Sequence, residues 1–182
     1  ELRQHSPELF KNVRVHFVGT TYAANADGMY QILPYAREFG LQDIVEEQPR
    51  RVPHLQAIQI LLDSHALVIV GSEAPHYTAS KIFPYILASK PLLAVLHEES
   101  HAGKLLQELQ AGTAITFGPA RPLDSIHGEI SAAVRELLSL PPEWHPLTRR
   151  EDFAPYTARA VTALLPEVLD RTMRSGTRAE TA

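Results

Sequence analysis

The chain contains no cysteine. That excludes disulfides, thiol nucleophiles and thiolate metal ligands, and leaves the compartment unfixed by redox chemistry. There is no excess of positive charge. Seventeen Lys and Arg stand against 21 Asp and Glu, for a net charge of −4. The basic stripe that marks a nucleic-acid binder is missing, so no nucleic-acid partner is expected. No uncharged apolar run approaches the roughly 18 residues of a membrane span. Asp63, His65 and Lys90 interrupt the longest candidates. Tryptophan occurs once, and nine glycines are scattered too thinly for any Gly-x-Gly-x-x-Gly dinucleotide fingerprint. No secretory leader is visible, and a cytoplasmic location is the expectation. The chain begins at Glu1 rather than at Met, as an excised piece of a longer protein would.

What is present is the composition of a folded domain. Of 182 residues, 45% are hydrophobic and 21% charged, enough to bury a substantial core. Val13 to Val18 alternates and meets Gly19-Thr20-Thr21, a strand followed by a loop. Arg14 and His16 point away from Val15 and Phe17, so this strand reads as less covered than a central one. Met29, Ile32, Leu33, Ala36 and Phe39 have helical spacing, Gly40 stops them, and Pro34 kinks the helix or shifts its start. Asp43 to Glu47 is a short strand. Pro53 opens a helix with Leu55, Ile58, Leu61 and Leu62 as its buried stripe.

Ala66 to Val70 and Leu92 to Leu96 are apolar runs suited to strands covered on both faces. A helix lies between them. Another carries Lys104 to Leu109 and ends at Gly112. Ala114 to Gly118 is a further strand. Asp124 or Ser125 caps a helix bearing Ile126, Ile130, Val134, Leu137 and Leu138, which Pro141-Pro142 stops. Strands and helices alternate about five times, and the simplest architecture is a doubly wound α/β fold: a three-layer parallel sheet with helices on both faces. The divisions are a lead-in over 1–12, the α/β domain over 13–140, and a connector with a last helix over 141–173. That helix runs from about Phe153 to Met173, kinked by Pro166. A disordered tail over 174–182 ends the chain.

Ligands in such sheets sit at the carboxyl ends of the strands, where helix N-termini offer free N–H groups. The loop of His76, Tyr77, Thr78, Ser80 and Lys81 falls at such a place. Lys81 can neutralise a diphosphate or be a solvated surface lysine. Thr78 and Ser80 read first as helix caps. His76 can hydrogen-bond a sugar or phosphate, or simply be exposed. Tyr77 can stack on a ring or pack on its own loop. Trp144 sits in a proline-flanked connector that wraps the surface.

His97-Glu98-Glu99-Ser100-His101 matches the His-Glu-x-x-His pattern of zinc hydrolases. That chemistry needs both histidines on one helix face, hence one helix from Pro91 to Gln110. The strand signature of Leu92 to Leu96 argues instead that the motif straddles a strand end and a helix start. Glu98 and Glu99 are then free to reach a ligand, and Ser100 is placed to cap the next helix.

Ser80-Lys81-Ile82-Phe83-x-Tyr85-x-Leu87-Ala88-x-Lys90-Pro91-Leu92-Leu93-Ala94 resembles the donor-side segment of GT-B glycosyltransferases of the retaining group. Phe17-Val18-Gly19-Thr20 is similar to the first strand and glycine loop of that domain, and Arg51-Val52-Pro53-His54 to its loop before a helix. The resemblance spans about residues 13 to 173. It implies the Rossmann-like, donor-binding half of a two-domain enzyme, with an acceptor-binding half preceding Glu1. It implies transfer of a sugar from an activated, nucleotide-linked donor held by Gly19, Thr20, Arg51, Val52, His76, Tyr77, Thr78, Ser80, Lys81, Glu98 and Glu99. It implies no metal and no further cofactor. Three positions depart from the pattern. His76 and Pro84 stand where the family carries glutamates, the second of which holds the nucleotide ribose, and Ser89 replaces a glycine. The first two departures open an alternative reading, a noncatalytic GT-B-like binding or assembly module.

Overall fold

The computed structural model describes residues 2–23, 28–74, 80–166 and 169. It is a mixed α/β structure with parallel strands in two small open sheets. Two short helices, α1 (Leu2–His5) and α2 (Pro7–Phe10), lead into β1 (Val15–Val18), α3 (Leu33–Glu38), β2 (Val45–Gln48) and α4 (His54–Asp63). Then follow β3 (Leu67–Val70), α5 (Ile82–Ala88), β4 (Leu92–His97), α6 (His101–Leu109), β5 (Thr113–Phe117) and α7 (His127–Ser139). β1 pairs with β2, and β4 lies between β3 and β5.

The strand β4 organises the larger sheet. All six of its residues are buried. Side chains alternate across a strand. Leu92, Ala94 and Leu96 therefore join Leu67 and Ile69 of β3 against Ile82 and Ile86 of α5 and Leu105, Leu106 and Leu109 of α6. Leu93 and Val95 join Ile115 and Phe117 of β5 under Ile130, Val134 and Leu137 of α7. Each such side chain removed from water contributes about 1.5–3 kcal/mol before entropy is subtracted. The smaller sheet has its own core, in which Ile44, Val45 and Ala36 meet Phe10, Val15 and Phe17.

Several boundaries differ from the sequence reading, each for a local reason. Pro34 shifts the start of α3 to Leu33 rather than kinking a longer helix, because the ring is tolerated in a first turn. α6 ends at Gln110, which takes the left-handed conformation (φ 52°) usually given to glycine. Gly112 has a different task. A Cβ there would lie 2.5 Å from the carbonyl oxygen of Leu92 and 2.9 Å from the Leu92 Cβ. Neither Asp124 nor Ser125 caps α7. They sit in a 3-10 turn (Leu123–Ile126), and the Ser125 hydroxyl donates to the carbonyl of Pro122 (2.7 Å).

No helix starts at Phe153. Pro155 interrupts with a 3-10 turn (Ala154–Tyr156), and Phe153 is a buried anchor whose ring lies 6.3 Å from that of Phe83. The last helix begins after Thr157, whose Oγ1 accepts from the N–H of Ala160 (3.3 Å), and covers residues 158–166. Its expected continuation to Met173 and the tail 174–182 lie outside the described residues, apart from Leu169. The connector does more than wrap the surface. Arg149 N–H donates to the carbonyl of Leu109 (2.9 Å) at the end of α6. Arg150 donates to the Ser89 hydroxyl (3.1 Å), and a His145 ring nitrogen lies 3.0 Å from the Ser89 carbonyl, at the end of α5. Ser89 is itself left-handed (φ 52°), a conformation more often taken by glycine.

Two substitutions test this account of the α6–β5 turn by urea denaturation. Gly112→Ala is expected to cost about 1–3 kcal/mol, since the added methyl meets backbone rather than a movable side chain. Gln110→Gly is expected to be neutral or to stabilise by up to about 1 kcal/mol, through relief of the left-handed strain. A harmless Gly112→Ala would show that β4 and β5 do not approach so closely there.

Candidate functional site

Because the strands within each sheet are parallel, the carboxyl ends of β1 and β2 share one rim and those of β3, β4 and β5 share another. The sequence-predicted residues that are described fall on these rims. Gly19, Thr20, Arg51 and Val52 come together at the first. Ser80, Lys81, Glu98 and Glu99 lie at the second. His76, Tyr77 and Thr78 lie outside the described residues.

At the first rim, Gly19 turns the chain with φ 71°, and its N–H donates to the Gln48 carbonyl (2.8 Å). The turn brings Gly19 against the backbone of Arg51, where a Cβ would stand 3.5 Å from the Arg51 Cα. Thr20 Oγ1 donates to Glu47 (2.6 Å). Glu47 is the hub of this rim. Its carboxylate also accepts from the N–H groups of Gln31 (2.9 Å), Ile32 (2.9 Å) and Leu33 (2.8 Å), which open α3. These are the unpaired donors that would otherwise meet an anion or water. Burial alone would raise the Glu47 pKa, but the hydrogen bonds from Thr20 and the three amides outweigh it and hold the carboxyl below the ordinary glutamate value. Beside it, the Arg51 guanidinium lies 4.3 Å from the centroid of the Tyr22 ring, which is 85% exposed. That pair fixes a flat aromatic face toward solvent.

At the second rim, Ser80 does not cap α5. The helix starts after Lys81, and no described side chain closes its N-terminus. Lys81 is exposed and forms no ion pair among the described residues. Glu98 donates its N–H to the Phe117 carbonyl (2.8 Å), and its side chain lies over Gly118, in the space a Cβ would fill. The Glu99 N–H donates to His97 Nδ1 (3.2 Å), which places the proton of a neutral imidazole on Nε2. Ser100 stands at the N-cap position of α6 without capping it, and its hydroxyl is buried without a partner.

His97 and His101 do not share a helix face. His97 ends β4 on the side of Val95, its ring edge-on to Phe117 at 5.7 Å. His101 begins α6, which packs on the opposite face of the sheet. The one-helix geometry that a His-Glu-x-x-His zinc site needs is absent, because the five apolar and buried positions from Leu92 to Leu96 before the motif hold β4 extended.

Comparison of the chain with families of known proteins, with curated proteins and with solved structures returns no match.

Two residues at the rims were not singled out by the sequence. Glu47 follows Val45 and Glu46 in the pattern buried, exposed, half-buried. A carboxylate on the inward phase of a strand requires partners, and that phase was the available signal. Tyr22 carries no pattern of its own and is found only through its contact with Arg51.

Glu47 gives a pH test. Its pKa is depressed in the folded chain, so the unfolded chain binds the proton more readily. Its contribution is complete above the unfolded value near 4.5 and is lost as pH falls through the lower folded value. Glu47→Ala is expected to cost about 2 kcal/mol near neutral pH, as loss of charge-assisted hydrogen bonds does. In denaturation series from pH 6 down to pH 3, the difference between wild type and variant should shrink. A difference that does not change with pH would contradict the role given to the ionised carboxylate.

Proposed function

We propose that this chain is the donor-binding half of a glycosyltransferase, holding a nucleotide-linked sugar while a preceding domain supplies the acceptor. The observation that carries the reading is Lys81. It is an exposed cation at the N-terminus of α5, which no described side chain caps, on the carboxyl-end rim of β3 and β4, within the segment that resembles the donor site. An ammonium and free amides there suit the diphosphate of a donor. The first rim suits the nucleoside: Glu47 already fills the amides of α3, and Tyr22 with Arg51 offers a planar surface. In this reading the leaving diphosphate is neutralised by Lys81, and Glu98 and Glu99 face sugar hydroxyls. A cytoplasmic location belongs to the same proposal. No described helix is long and apolar enough to cross a membrane.

The proposal includes a single doubly wound sheet in the order β2-β1-β3-β4-β5, Rossmann-like and three-layered. Three observations support it. All observed pairs are parallel, and β1 and β3 each have an edge with no strand partner among the described residues. Val68 and Val70 are 50% and 70% exposed, although their register partners Leu93 and Val95 are buried. A bare apolar face on a parallel strand is one that a helix layer of a doubly wound sheet would cover.

A second reading is favoured by Pro84. It occupies the first turn of α5 where the resembled enzymes carry the ribose-binding glutamate, and it offers no acceptor. On that reading the domain binds or assembles without turnover.

Titration with uridine, guanosine and adenosine diphosphate sugars, followed by calorimetry, tests both. Binding is expected, and Lys81→Ala should weaken it roughly tenfold, the loss of one charge-assisted contact, with no change in unfolding midpoint. If none of these donors binds, the glycosyltransferase reading fails. Sugar transfer by the full-length protein would exclude the noncatalytic reading.

A further inference from the structure

Beside the second rim, α6 presents a feature that the donor reading does not use. Its sequence His101-Ala102-Gly103-Lys104-Leu105-Leu106-Gln107-Glu108-Leu109 buries Ala102, Leu105, Leu106 and Leu109. His101, Lys104 and Glu108 recur at helical spacing and line one side of a cleft of about 330 Å³. That lies at the low end of the roughly 300–1,000 Å³ typical of ligand pockets. Ile82 and Phe83 of α5 and Tyr156 of the connector complete the wall. Phe83 and Tyr156 are held with ring centroids 5.8 Å apart, and Phe153 braces both at 6.3 and 6.0 Å. The wall is thus an aromatic surface fixed before any ligand arrives.

The charges in the cleft are placed against the interest of the helix. Lys104 stands toward the positive N-terminal end of α6, and Glu108 toward the negative C-terminal end. The order Lys then Glu at four-residue spacing is also the weaker orientation for a helical pair. The two form no ion pair with each other or with any described residue. Each charge instead adds to the helix dipole. The cleft therefore runs from a positive end at Lys104 to a negative end at Glu108. One helical turn separates the two charges, about 6 Å along the axis. A free dipeptide carries its ammonium and carboxylate about two extended residues apart, roughly 7 Å.

We propose that the cleft between α5, α6 and Tyr156 binds a short zwitterionic peptide with apolar side chains. The carboxylate lies toward Lys104, the ammonium toward Glu108, and a side chain rests on Phe83 and Tyr156. This site does not depend on the glycosyltransferase reading.

Titration of isotopically labelled protein with leucyl-leucine, followed by amide chemical shifts, tests it. Shifts are expected at Phe83, His101, Lys104 and Glu108, with half-saturation near about 1 mM. The decisive variant removes both charges, Lys104→Gln with Glu108→Gln. It relieves both unfavourable contacts with the dipole, so the fold should be at least as stable, yet peptide affinity should fall roughly tenfold or more. N-acetyl-leucyl-leucine amide, which lacks both charges, should bind equally weakly to wild type and variant. No shifts at these residues on saturation with the free dipeptide, or equal affinity in the doubly neutral variant, would overturn the proposal.

Discussion

The extended conformation of β4 is the constraint on which the rest of the structure depends. Six consecutive residues, Leu92 to His97, are buried with helices on both faces. Only a strand can send alternate side chains of one continuous apolar run into two cores. That decides the neighbouring chemistry. It separates His97 from His101 by the thickness of the sheet, and it delivers Glu98 and Glu99 to the carboxyl-end rim beside the start of α5. It also requires the close approach at Gly112, where the returning chain begins β5 against Leu92.

Polar groups do the corresponding work around the edges. Glu47 closes the N-terminus of α3 from the end of β2 and ties down the loop after β1 through Thr20. Residues of the connector satisfy the far ends of α5 and α6 from a distance in sequence, through Arg149 to Leu109 and through Arg150 and His145 to Ser89. The helices of this chain are short, and isolated helices of such length are marginal in water. The start of α3 and the far ends of α5 and α6 are held by groups that arrive from other elements, whereas Thr157 caps the last helix locally. Ser80, Ser100, Asp124 and Ser125, the residues with ideal local chemistry, cap none of them.

This explains how much was legible beforehand. The order of strands and helices followed from periodicity and from β-branched runs, because burial on one or two faces is written in each segment alone. The reduced coverage of β1 was also readable from Arg14 and His16, and the structure pairs His16 with Glu46 on the exposed side (3.3 Å). Helix ends were not legible. Gln110 and Ser89 adopt left-handed conformations that their side chains do not advertise, and the sequence pointed to Gly112 for a stop that occurs two residues earlier. Of the candidate site, Gly19 was readable because a positive φ selects its residue type. Glu47 and Tyr22 were not, since each acquires its place through a contact made across the fold.

The proposed donor site lies at the carboxyl ends of the strands in each sheet, with Lys81 as the charge that a diphosphate would meet. Amide chemical-shift mapping during titration with a nucleoside diphosphate tests that placement most directly. The account predicts shifts at Gly19, Thr20, Arg51, Lys81, Ile82, Glu98 and Glu99, with the opposite end around Pro91, Ala111 and Gly112 unchanged. Shifts confined to the opposite end, or none at any of these rim amides, would contradict it.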